Sequence, residues 1–442
     1  MNIQLSDHFT YKKLLRFTLP SIAMMIFTSI YGVVDGFFVS NFVGKTPFAA
    51  VNFIMPFIMI LGAFGFMVGT GGSALVSKTM GEGDMEKANR LFSMLTYISI
   101  ALGVVITVLG IVFIRPVAAM LGAKGAMLDD CVLYGRIILA ALPAFMLQQE
   151  FQSFFVTAEK PQLGLISSVV AGVTNMVLDA LFIAVLQWGI AGAALATAIS
   201  QLIGGLFPVF YFSRPNASLL RLTKATFDGK AFLKTCTNGS SELMSNVSMS
   251  LVNMLYNVQL MKYAGEDGVA AYGVLMYVSM IFMAAFMGYS IGTAPVVGYH
   301  YGAENHRELK SLLKKSFVII GGFSVCMLLL GEVLAKPLSL IFVSYDTELL
   351  SLTLRGFMIF SFSFLFAGVA IFGSGFFTAL NNGLISALIS FLRTLVFQIA
   401  AILILPIIWE VDGIWISIVV AELMAAVVTV VFLIAMRQKY HY

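Results

Sequence analysis

The sequence predicts an all-α membrane protein whose twelve transmembrane helices form two pseudo-symmetric six-helix bundles. Three observations predict it. Only 11% of the 442 residues are charged, 60% are hydrophobic and the mean hydropathy is +0.95, whereas soluble domains carry about 25% charged residues. Apolar runs of about 20 residues, bounded by charge or turn chemistry, recur twelve times along the chain. The second half also repeats the first at one constant spacing.

The start, MNIQLSDHFTYKKLLRFTLP, is a basic amphipathic lead-in. The apolar run behind it outlasts the 7–15 residues of a signal-peptide core and lacks a small-residue cleavage site, so it is read as uncleaved. Helices are expected near 14–40, 51–77, 91–114, 133–157, 163–186 and 190–212. The polar stretch SRPNASLLRLTKATFDGK follows. Six more helices are expected near 231–261, 269–299, 313–334, 354–378, 384–408 and 413–436. The domain plan is therefore an N-lobe at 1–213, a cytoplasmic linker at 214–230 and a C-lobe at 231–442.

An even number of spans puts both termini on one side. With that side cytoplasmic, 18 of the 26 Lys and Arg fall inside and seven outside, and only Arg393 lies within a span. That split satisfies the positive-inside rule, and Trp188, Trp409 and Trp415 land at the outer interface where amphipathic rings anchor. The location expected is a cell (cytoplasmic or inner) membrane, crossed many times. The net charge of +4 reflects orientation rather than nucleic-acid binding. Cys131, Cys236 and Cys326 are expected outside, inside and within a helix, so no disulfide is expected. The four histidines show no metal-ligand spacing.

The repeat pairs Arg115-Pro116 with Lys336-Pro337, Gly44 with Gly265, Gly71 with Gly292 and Gly81 with Gly302. It also pairs Thr157-Ala158 with Thr378-Ala379, Trp188 with Trp409 and Gly192 with Gly413, always 221 residues apart. Each half holds six helices, so the halves share one topology. Two such bundles are related by a pseudo-two-fold axis along the membrane normal with a cavity between them, a plan suited to a rocking transporter.

Ionisable groups inside spans cost about 2.5–3.5 kcal/mol on insertion scales and are functional candidates by default. Depth sorts them. Asp35 lies roughly 28 Å above Arg16, Asp179 roughly 24 Å above Leu163, and Thr197 roughly 10 Å below the outer boundary, at 1.5 Å per residue. Asn175 precedes Asp179 by one turn on the same helix face. These four supply hard oxygens suited to a small cation such as Na+ or to a proton shared between acids. At the 221-residue offset their counterparts are Tyr256, Val396, Ala400 and Ile418. A purely architectural role predicts some trace of the cluster in the second half, and the sequence offers none.

Other buried charges have two readings each. Glu150, within LQQEFQ, joins a local network with Gln148, Gln149 or Gln152, or serves transport. Glu242, near mid-membrane, lines the central cavity or is a buried structural acid. Glu422, opposite Gln201 in the repeat, is expected to hold a shared structural position, and Glu332 to pair with Lys336 at i,i+4. Arg393 either pairs with an acid across its bundle or snorkels toward the cytoplasm, the reading favoured by its ten-residue separation from Gly383. Pro20, Gly32 and Gly36 mark the first helix as bendable or as closely packed. The 25 methionines and 39 phenylalanines suit a greasy, adaptable cavity, or simply lipid-facing packing.

These residues resemble those of the multidrug and toxic compound extrusion (MATE) transporters. The matching pieces are Pro20 with VVDGFFV, then SKTMGEGDMEKANR, TAEKPQLGLISSVVAGVTNMVLDALFIA and GIAGAALATAIS, and the likeness covers essentially the whole chain. It implies a secondary antiporter that exports cationic or amphipathic organic compounds in exchange for Na+ or H+. It places Asp35, Asn175, Asp179 and Thr197 in the coupling site and Pro20 at a helix bend. The helix 10 stretch FSFSFLFAGVAIFGSGFF lacks the acid some relatives carry, which would leave Glu242 alone in the C-lobe. No cofactor beyond the coupling ion, no enzyme activity and no obligatory protein partner is expected; small organic substrates and membrane lipids are the expected partners. The alternative is a flippase, of lipid-linked oligosaccharides or of another lipid, from the same superfamily. Such a protein needs cations lining its cavity and often has fourteen helices.

Overall fold

The computed structural model describes residues 2–442, and among them every regular element is helical. The helices are α1 (Tyr11–Phe42), α2 (Lys45–Gly81), α3 (Met85–Met120), α4 (126–157), α5 (Pro161–Val185) and α6 (Ile190–Ser213). They continue as α7 (229–264), α8 (266–302), α9 (His306–Val343), α10 (Thr347–Ala379), α11 (383–409) and α12 (411–435). Residues 229–302 would form a rod of about 110 Å at 1.5 Å per residue. They are two spans, broken where Gly265 takes φ 68° and ψ −154°. Glu410, at φ 55°, breaks α11 from α12 in the same way.

Several helices start a few residues before the apolar runs, with a capping side chain at the first turn. Thr10, Asp84, Asp228, Asn305 and Asp346 each accept an amide N–H of the first turn, which satisfies donors left open at a helix start. One span is sharply bent. α4 bends by 57° between Ala140 and Leu142, where Pro143 supplies no N–H to the helix ladder.

The duplication read from sequence is visible in the backbone. Left-handed turns recur at the 221-residue spacing: Gly44 with Gly265, Gly83 with Glu304 and Gly189 with Glu410. Contacts between the two halves are reciprocal as well. Gly81 abuts the carbonyl of Tyr299 and Gly302 that of Lys78; Gly71 abuts Gly239 while Gly292 abuts Thr18. Each pair is the other's image under the repeat. Glycine is what allows it: an added Cβ would overlap facing backbone at Gly71, Gly81 and Gly302 and crowd Thr18 at Gly292.

All of these close contacts lie near the face that carries both termini. There the segment before α1 is clamped as well. Leu5 N–H donates to Glu159 (2.8 Å), Phe9 N–H to Glu308 (2.9 Å), and Lys315 to the Phe9 carbonyl (2.6 Å). Residues 214–228 are non-helical, with Arg221 and Thr223 held by Asn89 and Ser93 of α3. Toward the other face the bundles diverge. Thr18 and Ile22 of α1 pack on α8, yet Gly32 and Gly36, four turns further along the same helix stripe, have no atom within 4 Å of where a Cβ would sit. The space between them is a cleft closed at the terminal face and open at the opposite one.

Candidate functional site

α1, α4, α5 and α6 converge in the open half of the first bundle. Asp35 of α1 is part-exposed, whereas Asp179 of α5 is fully buried and Asn175, one turn earlier, is 2% exposed. The Asp35 and Asp179 carboxyl groups lie within hydrogen-bonding reach of each other. Asn175 Nδ2 donates to Thr197 Oγ1 at 3.3 Å. The structure thus brings together all four residues that depth counting singled out.

What the cluster lacks, among the described residues, is donors. Asp35 Oδ1, both Asp179 oxygens and Asn175 Oδ1 are buried without a donor from the protein. Two carboxylates this close repel unless a proton or cation lies between them. A ring of hard oxygens with no N–H aimed at it suits a small cation or a shared proton. The chain geometry also departs from a regular helix here, since Asp179 opens a π-helical stretch at Ala180–Val185, a distortion frequent at functional sites.

Sequence reading missed Tyr134. It sits on α4, 1% exposed, facing both acids with its hydroxyl near Thr197 and 3.5 Å from the Met55 sulfur. It lies eight residues below the observed start of α4, roughly 12 Å and level with Thr197; the span expected at 133–157 puts it at the boundary, so depth counting passes it over. Pro20 is buried inside an unbroken α1 and borders a groove of ≈ 390 Å³ at the terminal face.

The buried charges elsewhere in both bundles correct several expectations. Arg393 does not snorkel: it makes two hydrogen bonds, of 2.9 and 3.0 Å, to Glu422 of α12. Glu422 therefore has its own partner, where Gln201 in the first bundle has a buried Oε1 with none. Glu332 accepts from Ser361 at 2.6 Å instead of pairing with Lys336. Glu150 is fully buried near Ser99 of α3, not bonded to its neighbouring glutamines, and both its oxygens lack donors. Glu242 is part-exposed and near Arg393, whose guanidinium is committed to Glu422.

A trace of the polar cluster does survive in the second half. Tyr256, the counterpart of Asp35, donates to Gln398 of α11 at 2.6 Å, and Tyr272 donates to Asn253 at 2.8 Å. A polar bridge from the first to the fifth helix is thus common to both bundles. In the second it is neutral and satisfied; in the first it is acidic and open.

The MatE family model matches the chain twice, over residues 20–181 and 243–404, as the repeat requires. The chain is 28% identical over 366 residues to the multidrug export protein MepA of Staphylococcus haemolyticus, covering 81% of this chain and 80% of that protein. It is 23% identical over 436 residues to the MepA of Staphylococcus aureus strain MRSA252, covering 97% and 94%. Among solved structures, the outward-facing conformation of a multidrug resistance MATE family transporter superposes with a TM-score of 0.94 at 23% identity, covering 100% of this chain and 98% of that one. The fold is shared in full, and the double match of the family model makes the protein a member of the MatE family of membrane transporters.

Proposed function

We propose that the protein is a secondary antiporter that exports organic, often cationic and amphipathic, compounds in exchange for Na+ or H+. The observation that carries this is the donor-free oxygen cluster of Asp35, Asp179 and Asn175 beside Thr197, present in one bundle and replaced by a neutral pair in the other. The ion loads there from the open cleft. The lobes at 1–213 and 231–442, joined by the linker at 214–230, then rock so that the terminal face opens and substrate takes the ion's place. Exchange follows because ion and substrate stabilise different states. The names of the Staphylococcus relatives support multidrug cargo.

The Lys and Arg distribution supports a cell-membrane location with both termini cytoplasmic. A lipid-pyrophosphate flippase fits less well. Its headgroup needs free cations, and Arg393, the mid-span cation, is committed to Glu422.

The test is efflux of a fluorescent organic cation from vesicles containing the purified protein, with a Na+ gradient and a pH gradient imposed separately. One of the two is expected to drive export. Export driven by neither would refute antiport.

A further inference from the structure

We propose that the interior of the first bundle holds a path one water wide that carries protons between the Asp35/Asp179 cluster and the terminal face. It is lined by Asn175, Gln201, Gln148, Gln152 and Ser168. The path rests on the antiport reading and deepens it by naming H+ as the ion.

The first support is a descending series of unsatisfied polar atoms. Asn175 Oδ1, Gln201 Oε1 and Gln152 Oε1 are all buried without a protein donor. Burying such a group unpaired is costly, and ordered water is its usual remedy. Thr197, bound to Asn175, stands one turn above Gln201 on the same face of α6. Below Gln201 comes Gly204, where the missing side chain makes room for the Gln148 amide; an added Cβ would sit 2.8 Å from it. Gln148 and Gln152, one turn apart on α4, line a small cavity together with Ser167 and Ser168 of α5 and Met24 of α1. Its free volume, ≈ 10 Å³, is about what the centre of a single water occupies.

The second support is the repeat. At the 221-residue offset Gln148, Gln152, Ser167 and Ser168 become Val369, Gly373, Leu388 and Ile389. The place of Gln201 is taken by Glu422, sealed by Arg393. One polar residue that serves architecture is kept in both halves. Thr157, bonded to Ser73 at 2.6 Å, corresponds to Thr378, bonded to Ser386 at 2.7 Å. Gln201 apart, whose counterpart is the Arg393-bound Glu422, the path residues behave like the acids: at the repeat offset Gln148, Gln152 and Ser168 face apolar residues or glycine in the other bundle.

The third support is a closure at the lower end. Phe155, 2% exposed, packs against Gly164 and separates the small cavity from the groove lined by Glu159, Lys160, Leu163 and Tyr211. With the cleft open on the far side, this septum prevents a proton leak. Met24 lies one turn beyond Pro20 on α1, so bending of that helix moves a wall of the cavity. When the path opens, the shared carboxyl gives its proton to the adjacent water, each water passes one on, and a proton leaves to bulk water at the groove. A carboxylate remains behind. A single file of water suits H+ better than Na+, which needs several oxygens around it at once.

Two experiments test this. Hydroxyl-radical footprinting of the protein in nanodiscs reads bound water directly. Met24, in the cavity, should oxidise at least tenfold faster than Met146, which is fully buried in an apolar cluster, and Ser168→Val should slow it. Equal rates for the two methionines would overturn the wet path, whatever drives transport. In vesicles, Gln201→Leu should cut pH-driven export at least tenfold with substrate binding in detergent unchanged, while Gln201→Glu retains export. Unchanged export by the folded Leu variant, or a wild type driven by Na+ alone, would overturn the proton path and leave antiport standing. A wild type driven by neither gradient would refute the antiport reading itself.

Discussion

Adding a methyl group at Gly81 and at Gly302 should force open the terminal face. Each new Cβ would overlap a backbone carbonyl, Tyr299 for Gly81 and Lys78 for Gly302. Backbone in a helix cannot rotate aside as a flexible side chain would, so α2 and α8 must separate. Overpacking of this kind costs about 1–3 kcal/mol, and the cost falls only on the conformation in which these helices touch. A bias of that size shifts a two-state equilibrium by about 5- to 150-fold. The two sites are images of each other across one seam, so their effects should couple rather than add. Spin labels at Glu86→Cys and Arg307→Cys, both exposed at the terminal face, with Cys131, Cys236 and Cys326 replaced by Ser, report the separation by double electron–electron resonance. The Gly81→Ala/Gly302→Ala protein should gain a longer-distance population. Gly321→Ala, which meets nothing within 4 Å, should leave the distribution alone. A folded double variant with the unaltered distribution would refute the claim that this seam holds one conformation closed.

Glu422→Gln should lower the unfolding midpoint strongly, because it leaves Arg393 half-buried without its carboxylate, a loss of about 3–5 kcal/mol. Arg393→Met with Glu422→Leu should recover most of it; an equally unstable double variant would contradict the pairing. At the terminal face, just past the apolar run 269–299, burial holds the His300 imidazole below its ordinary value, against the opposing pull of Glu308 and with His8 nearby. The folded protein then binds fewer protons there than the unfolded one. Its stability contribution is present above the unfolded value of about 6.5 and lost as pH falls below it. Protease sensitivity of residues 2–9 should rise between pH 7 and 5, and His300→Phe should flatten that rise. Glu308→Gln weakens the ties of this carboxylate to His8 and the Phe9 amide, so it should raise the sensitivity at pH 7 as well; unchanged cleavage would argue against the clamp.

Asp35, Asp179, Asn175 and Thr197 were legible in the sequence because depth along a span depends only on residue count. The twelve spans and the repeat were legible for a similar reason: hydropathy and constant spacing need no knowledge of packing. Partnerships across helices were not. Whether Arg393 reaches Glu422 or water, and whether Glu332 meets Ser361 or Lys336, depends on how neighbouring helices rotate about their axes, which apolar periodicity leaves loose. The neutral Tyr256–Gln398 bridge is invisible at the repeat offset. Asp179's counterpart is Ala400, and the bonding amide comes from Gln398, two residues away.

The central claim is that Asp35 and Asp179 couple export to an ion gradient. Asp35→Asn tests it most directly, since the amide keeps the shape of the side chain and removes its charge and its titration. In vesicles carrying whichever gradient drives the wild type, the folded variant should bind the fluorescent cation and lose gradient-driven export at least tenfold. Export at the wild-type rate, still responsive to the gradient, would contradict the account.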